Sequence, residues 1–345
     1  MSVNALPAPS ANTAAQSPAG RLDGLDGLRG IAALCVLWFH ATGVLHPDLG
    51  ITGKGYLAVD FFFMLSGYVM ARTYEHRFAQ GYTARRFMVA RYRKLWPFMA
   101  LGALLGAPVV WLMLNDHFQA LKIVAANVLL IPTIGYNSLY PVNNAAWSIL
   151  VELAANLAHA LILWRLPTRM LAALLLALTP ALCWLAATYG SLAVGLETST
   201  IGAGLAKGLM SYGIGIVLWR WWRDQPTIRI SPALAFAAMP LLILLVPVLQ
   251  DQAWGHDVAF ILLACPLMLA GGLACRHING VIRWLGLISF PLYAINLPIM
   301  IWANGLGLGA PIGVAGALGL ASYLALRPSG AALAKPAAAA ASIRT

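Results

Sequence analysis

Charge is scarce in this chain, and negative charge is scarcest: 345 residues carry 11 Asp and Glu against 22 Lys and Arg, 10% of the sequence in all. Soluble domains devote about 25% of their residues to these four types, so a chain this poor in charge cannot cover a water-facing surface. Cysteine is sparse too. Cys35, Cys183, Cys265 and Cys275 lie in apolar stretches without CxxC spacing, which excludes a zinc ribbon or a disulfide framework and leaves buried thiols. His46, His76, His117, His256 and His277 are scattered over loops and segment boundaries without ligand spacing, so no metal is expected. No glycine-rich phosphate loop stands between a strand and a helix; the glycines fall inside apolar runs. Residues 1–20, rich in Ala, Pro, Ser and Asn, lack the apolar core of a secretory signal. The Ala-rich stretch after Arg327 is low-complexity. The expected organisation is a disordered segment over 1–24, one transmembrane domain over 25–326 and a tail over 327–345, with no appended globular domain.

What is abundant is apolar. A 61% hydrophobic composition and a mean hydropathy of +0.78 predict an all-α polytopic membrane bundle. At about 20 apolar residues per crossing, ten segments qualify: 28–46, 56–75, 95–114, 145–164, 169–188, 202–221, 233–249, 257–274, 284–302 and 308–326. The run IVAANVLLI (123–131) is too short to cross and reads as an interfacial or re-entrant piece. With both termini cytoplasmic, 19 of the 22 Lys and Arg fall on the cytoplasmic side, and only Lys54, Lys122 and Lys207 on the other. The net charge of +11 is thus a topology signal, and no nucleic acid is implied.

The stretch LDGLRGIAALCVLWFH (25–40) has an arginine at its entrance and a histidine deep inside. Arg29 and His40 are eleven residues apart, three helical turns to within about 20°, so both point from one face about 16 Å apart along the axis. Charges within the bilayer are costly and need a reason. Counting from the segment edges places His40, Glu152 and Asp60 in the outer half of the membrane, the first two at nearly the same depth. A carboxylate at matching depth would orient and tune His40 as a general base. Asn144, Ser148, Glu152 and Asn156 follow at i+4 spacing, extended by His159, which makes one face hydrophilic. Such a stripe means a water-filled crevice or interhelical hydrogen bonds. Five cationic residues within ten, Arg85, Arg86, Arg91, Arg93 and Lys94, exceed what orientation requires and suit a polyphosphate ligand.

These residues resemble a known family, the membrane acyltransferases of family 3. LDGLRGIAALCVLWFH is similar to its opening motif, an Arg followed by His. VDFFFMLSGY (59–68), RYRKLWP (91–97), WSILVE (147–152) and LGLISFPLYAIN (285–296) are similar to four further motifs, in family order. Lys94 stands where the family commonly has Arg. Asn296 stands where many members have His, and no catalytic role is assigned to it.

The resemblance implies transfer of an acyl group, usually acetyl from acetyl-CoA, to a hydroxyl of an exported or surface carbohydrate, by a multi-pass protein of the bacterial inner membrane. On that reading Arg29, Arg86, Arg91 and Arg93 hold the phosphates of acetyl-CoA, and His40 is the base, oriented by Glu152 or Asp60. Ser66, Asn144, Trp147 and Ser148 would line the acceptor site. Ser66, beside Gly67, reads equally as a small residue for close helix packing. Direct transfer and an acyl-histidine relay both fit. The rival readings are a transporter or flippase, which a midplane polar pocket would suit, and a transmembrane acyl carrier serving a separate enzyme.

Overall fold

The computed structural model describes residues 22–45, 53–245, 254–275 and 279–327. Most of both expected tails, together with His46 and His277, lies outside the described residues. The helices are α1 (Asp23–Leu45), α2 (Leu57–Ala79), α3 (Ala84–Met113), α4 (His117–Val128), α5 (Ala146–Leu161), α6 (Thr168–Tyr189), α7 (Ile201–Trp222) and α8 (Pro232–Pro240). They continue with α9 (Trp254–Ala274), α10 (Gly280–Gly305) and α11 (Gly309–Leu326). Five-residue π-helical turns extend α8 over Leu241–Leu245 and interrupt α9 over Phe260–Ala264. Among the described residues extended pairing is limited to one isolated antiparallel bridge, Ser138 with Glu197. All four cysteines are free thiols, Cys35 and Cys265 buried, Cys183 and Cys275 half-buried.

Helix occupies each of the ten apolar segments, but length and composition qualify seven helices as membrane crossings: α1, α3, α6, α7, α9, α10 and α11. The other three fall short for physical reasons. Asp60, Arg72, Glu75 and Arg77 dilute the hydropathy of α2. The helix α5 has only 16 residues, about 24 Å at 1.5 Å per residue, less than the ~30 Å hydrocarbon core. Pro232–Leu244 is likewise short. The 123–131 piece belongs to α4, which starts earlier, at His117, where the Asp116 carboxylate caps the amides of Phe118 and Gln119 at 3.0 Å.

The helices α1 and α10 pack along each other, as do α2 and α7. Both contacts need a residue without a side chain. A Cβ on Gly30 would stand 2.6 Å from the Leu285 carbonyl oxygen, and one on Gly67 would stand 2.0 Å from that of Tyr212. Neither is compatible with ordinary contact. Gly67→Ala is therefore expected to force α2 from α7 at an overpacking cost of about 1–3 kcal/mol, read as a lower melting temperature in detergent; an unchanged midpoint would contradict this close approach. The bundle presents apolar side chains outward on α6 and α11, where Leu176, Trp184, Ile312 and Tyr323 are exposed, as a lipid-facing surface requires.

Ion pairs buried among these helices decide two sequence expectations. Lys207, placed by sequence among the outer connections, lies inside α7 at 1% exposure, and its Nζ donates to Asp60 Oδ2 at 3.1 Å and to the Leu192 carbonyl at 2.7 Å. Asp60, fully buried, thus serves Lys207 rather than orienting His40. Nearby, Asp257 accepts from Lys54 Nζ at 2.5 Å, Tyr56 at 2.7 Å and the Leu192 amide at 2.8 Å. Removing one member of a buried pair strands its partner's charge, at about 3–5 kcal/mol. Lys207→Met is expected to lower membrane abundance and detergent melting temperature, and Asp60→Leu added to it to recover part of the loss. Recovery failing in the double variant would show that the pair is not what Lys207 supplies.

Candidate active site

Helix α1 sets the site's axis. The face shared by Arg29 and His40 lies on α10, which runs alongside and receives both side chains. Arg29 Nε donates to Ser289 Oγ at 2.7 Å, Nη2 donates to the Gly286 carbonyl at 2.8 Å, and the same Nη2 pairs with Asp26 at 3.1 Å. Further along, His40, half-buried, is hydrogen-bonded through Nδ1 to Asn296 Oδ1. Sequence offered Glu152 or Asp60 as the partner of His40; the structure gives it an amide.

Glu152 instead receives Arg91 Nη2 and, at 3.0 Å, Ser66 Oγ. Arg91 is 7% exposed, and its Nε has no hydrogen-bond partner among the described residues. The pairing has a simple geometric origin. With 30 residues, α3 is about 45 Å long, so the basic segment is its first turns rather than a loop before it. Arg91 rides into the bundle on that extra length. Lys94, one turn on and exposed, lies within electrostatic reach of Arg91, Arg29, Glu152 and Asp26. Arg29, Arg91 and Lys94 therefore form one basic cluster with two carboxylates among them. In the sequence Lys94 belongs to the basic run and departs from the Arg common in the resembled family.

Arg86 and Arg93 fall elsewhere. Arg93 is two residues from Arg91, about 200° around the helix at 100° per residue, so the two cannot clamp one phosphate. Together with Arg85, Tyr82, Thr83 and Val89 they line a separate surface cavity of about 610 Å³. Exposed arginines at a membrane boundary are what positive-inside anchoring needs.

The polar stripe of α5 is taken up by bonds to other segments. Asn144 accepts from Ser138 Oγ at 2.7 Å, and Ser148 Oγ meets the Tyr293 hydroxyl at 2.5 Å. Asn156 accepts from Tyr212 at 3.0 Å, and His159 bridges the Tyr212 hydroxyl and Glu75, which also holds Arg220. Of the two meanings of the stripe, interhelical bonding is the one these contacts show. Trp147 stands edge-on to Phe63 with the Lys207 ammonium 5.6 Å from its ring centre. Ser66 thus bonds Glu152 and Ser148 bonds Tyr293, Trp147 faces Phe63 and Lys207, and His40 meets α10 nearly a turn beyond Tyr293, at Asn296.

A family model described as an acyltransferase domain matches residues 22–326, nearly the whole described chain. The chain belongs to this acyltransferase family. The match covers both the Arg29–His40 helix and the α10 face it rests on, so the protein is a multi-pass membrane acyltransferase by family and by its seven long apolar helices. Among curated relatives, a Rhizobium radiobacter protein named for its place in the picA locus is 32% identical over 163 residues, which are 42% of this chain and 84% of that protein. A Bacillus subtilis protein named as a peptidoglycan O-acetyltransferase is 33% identical over 98 residues, 28% of this chain and 14% of that one. A Komagataeibacter xylinus protein named as a membrane-bound transacylase is 34% identical over 102 residues, 29% and 23%. The matched part is thus a small fraction of the latter two. No solved structure gives a significant match.

Proposed function

We propose that this acyltransferase moves an acetyl group from cytoplasmic acetyl-CoA to a hydroxyl of an exported or surface glycan, in the bacterial inner membrane, with both termini cytoplasmic and ten crossings. One observation carries the reading. A single face of α1 joins a basic cluster at one end, Arg29 with Arg91 and Lys94, to a half-buried imidazole about 16 Å along the axis. The buried, unpartnered Nε of Arg91 supports an anionic ligand at that cluster, because a desolvated guanidinium donor left without an acceptor is costly. Acetyl-CoA is such an anion, with its reactive thioester at the end of a long arm. The name of one relative, a peptidoglycan O-acetyltransferase, supports a carbohydrate acceptor, and that of another, a membrane-bound transacylase, supports acyl transfer.

In this mechanism the phosphates dock at Arg29, Arg91 and Lys94 and the arm runs along α1 towards His40. The imidazole takes the proton from the acceptor hydroxyl as that oxygen attacks the thioester carbonyl. The C–S bond breaks, and the departing thiolate receives the proton from the imidazolium. Glu152 sets the position of Arg91 by pairing with it. The test is chemical: acyl substituents on the producer's surface glycans, compared with and without the gene. Loss of one defined O-acetyl group, restored by the gene, supports the reading; identical substituents contradict it.

A further inference from the structure

We propose that Asn296 is the positioning residue that holds His40 in the tautomer protonated at Nδ1, so that Nε2 is the atom that takes the acceptor's proton. The proposal rests on the reading of His40 as the base and names the atom that does the work and the residue that selects it.

Asn296 is fully buried on α10, and its Nδ2 donates to two carbonyls of its own helix, Leu292 at 2.8 Å and Tyr293 at 3.0 Å. Carbonyl oxygens only accept, so the end of the amide that faces them must be the NH2. The reversed orientation would set Oδ1 against two acceptors and is excluded by the network itself. Oδ1 therefore faces His40 Nδ1, and an amide oxygen cannot donate. The proton of that hydrogen bond must belong to Nδ1, and a neutral imidazole then carries its lone pair on Nε2.

The neighbouring turn of α10 is pinned from outside. Pro298 has no N–H for the Ala294 carbonyl four residues back. Asn143, in the segment before α5, supplies the missing donor through Nδ2 at 2.9 Å. Tyr293 is held in turn by Ser148 and by the Ala145 carbonyl. Asn296 thus sits on a turn fixed at two points, and its side chain has no room to swing out.

The test reads the tautomer directly, by 15N resonances of the full-length protein labelled at histidine in nanodiscs, with His40 assigned from a His40→Gln sample. In the wild type His40 is expected as the Nδ1–H form. In Asn296→Leu it is expected to lose that preference while kcat falls about 10-fold or more and KM stays unchanged. Asn296→His, whose ring nitrogen can again accept, is expected to restore both. A wild-type His40 protonated at Nε2, or an Asn296→Leu protein with Nδ1–H and kcat intact, overturns the proposal. If the wild type transfers no acetyl group, the functional reading falls while the resonances still decide the tautomer.

Discussion

Replacing His40 by alanine is expected to abolish acyl transfer, by about 10²-fold or more, while the protein still reaches the membrane in normal amount. General-base catalysis contributes about 10²–10⁴-fold in enzymes that use it, or about 3–5 kcal/mol at 1.36 kcal/mol per decade. The side chain is half-buried, and its loss leaves Asn296 Nδ2 bonded to the Leu292 and Tyr293 carbonyls and strands only Oδ1, at about 1–3 kcal/mol. The cost to folding is therefore smaller than the cost to the reaction, and activity and abundance separate. Normal acetylation by His40→Ala would remove the imidazole from the mechanism.

The second large effect is expected from Glu152→Gln. Glu152 is the counterion of Arg91 in a site where the two side chains are 16% and 8% exposed. A neutral amide there leaves the guanidinium without its charge partner and no longer fixed beside Lys94 and Arg29, which raises KM for acetyl-CoA and cuts turnover, together by about 10²-fold in kcat/KM. Part of the effect is structural, because breaking a buried pair costs about 3–5 kcal/mol, so the decisive measurement is a double-mutant cycle. Arg91→Met and Glu152→Gln are expected to be non-additive in kcat/KM by about 0.5–3 kcal/mol, as residues in contact are. Strictly additive losses would mean that Glu152 acts on something other than Arg91.

The helical period alone placed Arg29 and His40 on one face, and both meet α10. The interruption of apolar runs by polar residues located the helices, although not how many are long enough to cross. The partners of the ionisable groups were less legible, and for one reason. Depth counted from segment edges assumes that each helix begins at the membrane boundary. With 16 residues, α5 is short, and α3, with 30, is long, so Glu152 and Arg91 meet where edge-counting keeps them apart. Lys207, near the start of the 202–221 segment, counts by charge alone towards the outer side; its burial and its pairing with Asp60 place it inside the bundle. Asn296 carried a weaker signal still. An amide at a position where histidine is common reads as a lost function, and its use as a hydrogen-bond acceptor emerges only when the two carbonyls behind it are seen.

We expect this chain alone to carry an acetyl group from the inner face of a bilayer to a sugar hydroxyl. The direct measurement uses purified protein in oriented proteoliposomes, with radiolabelled acetyl-CoA supplied only on the side of Arg29 and a glycan acceptor only on the opposite side. The expected result is labelled ester on the glycan, absent with His40→Ala and without protein. Label that reaches the glycan only after a second protein is added, or acceptor that crosses unlabelled, would contradict it.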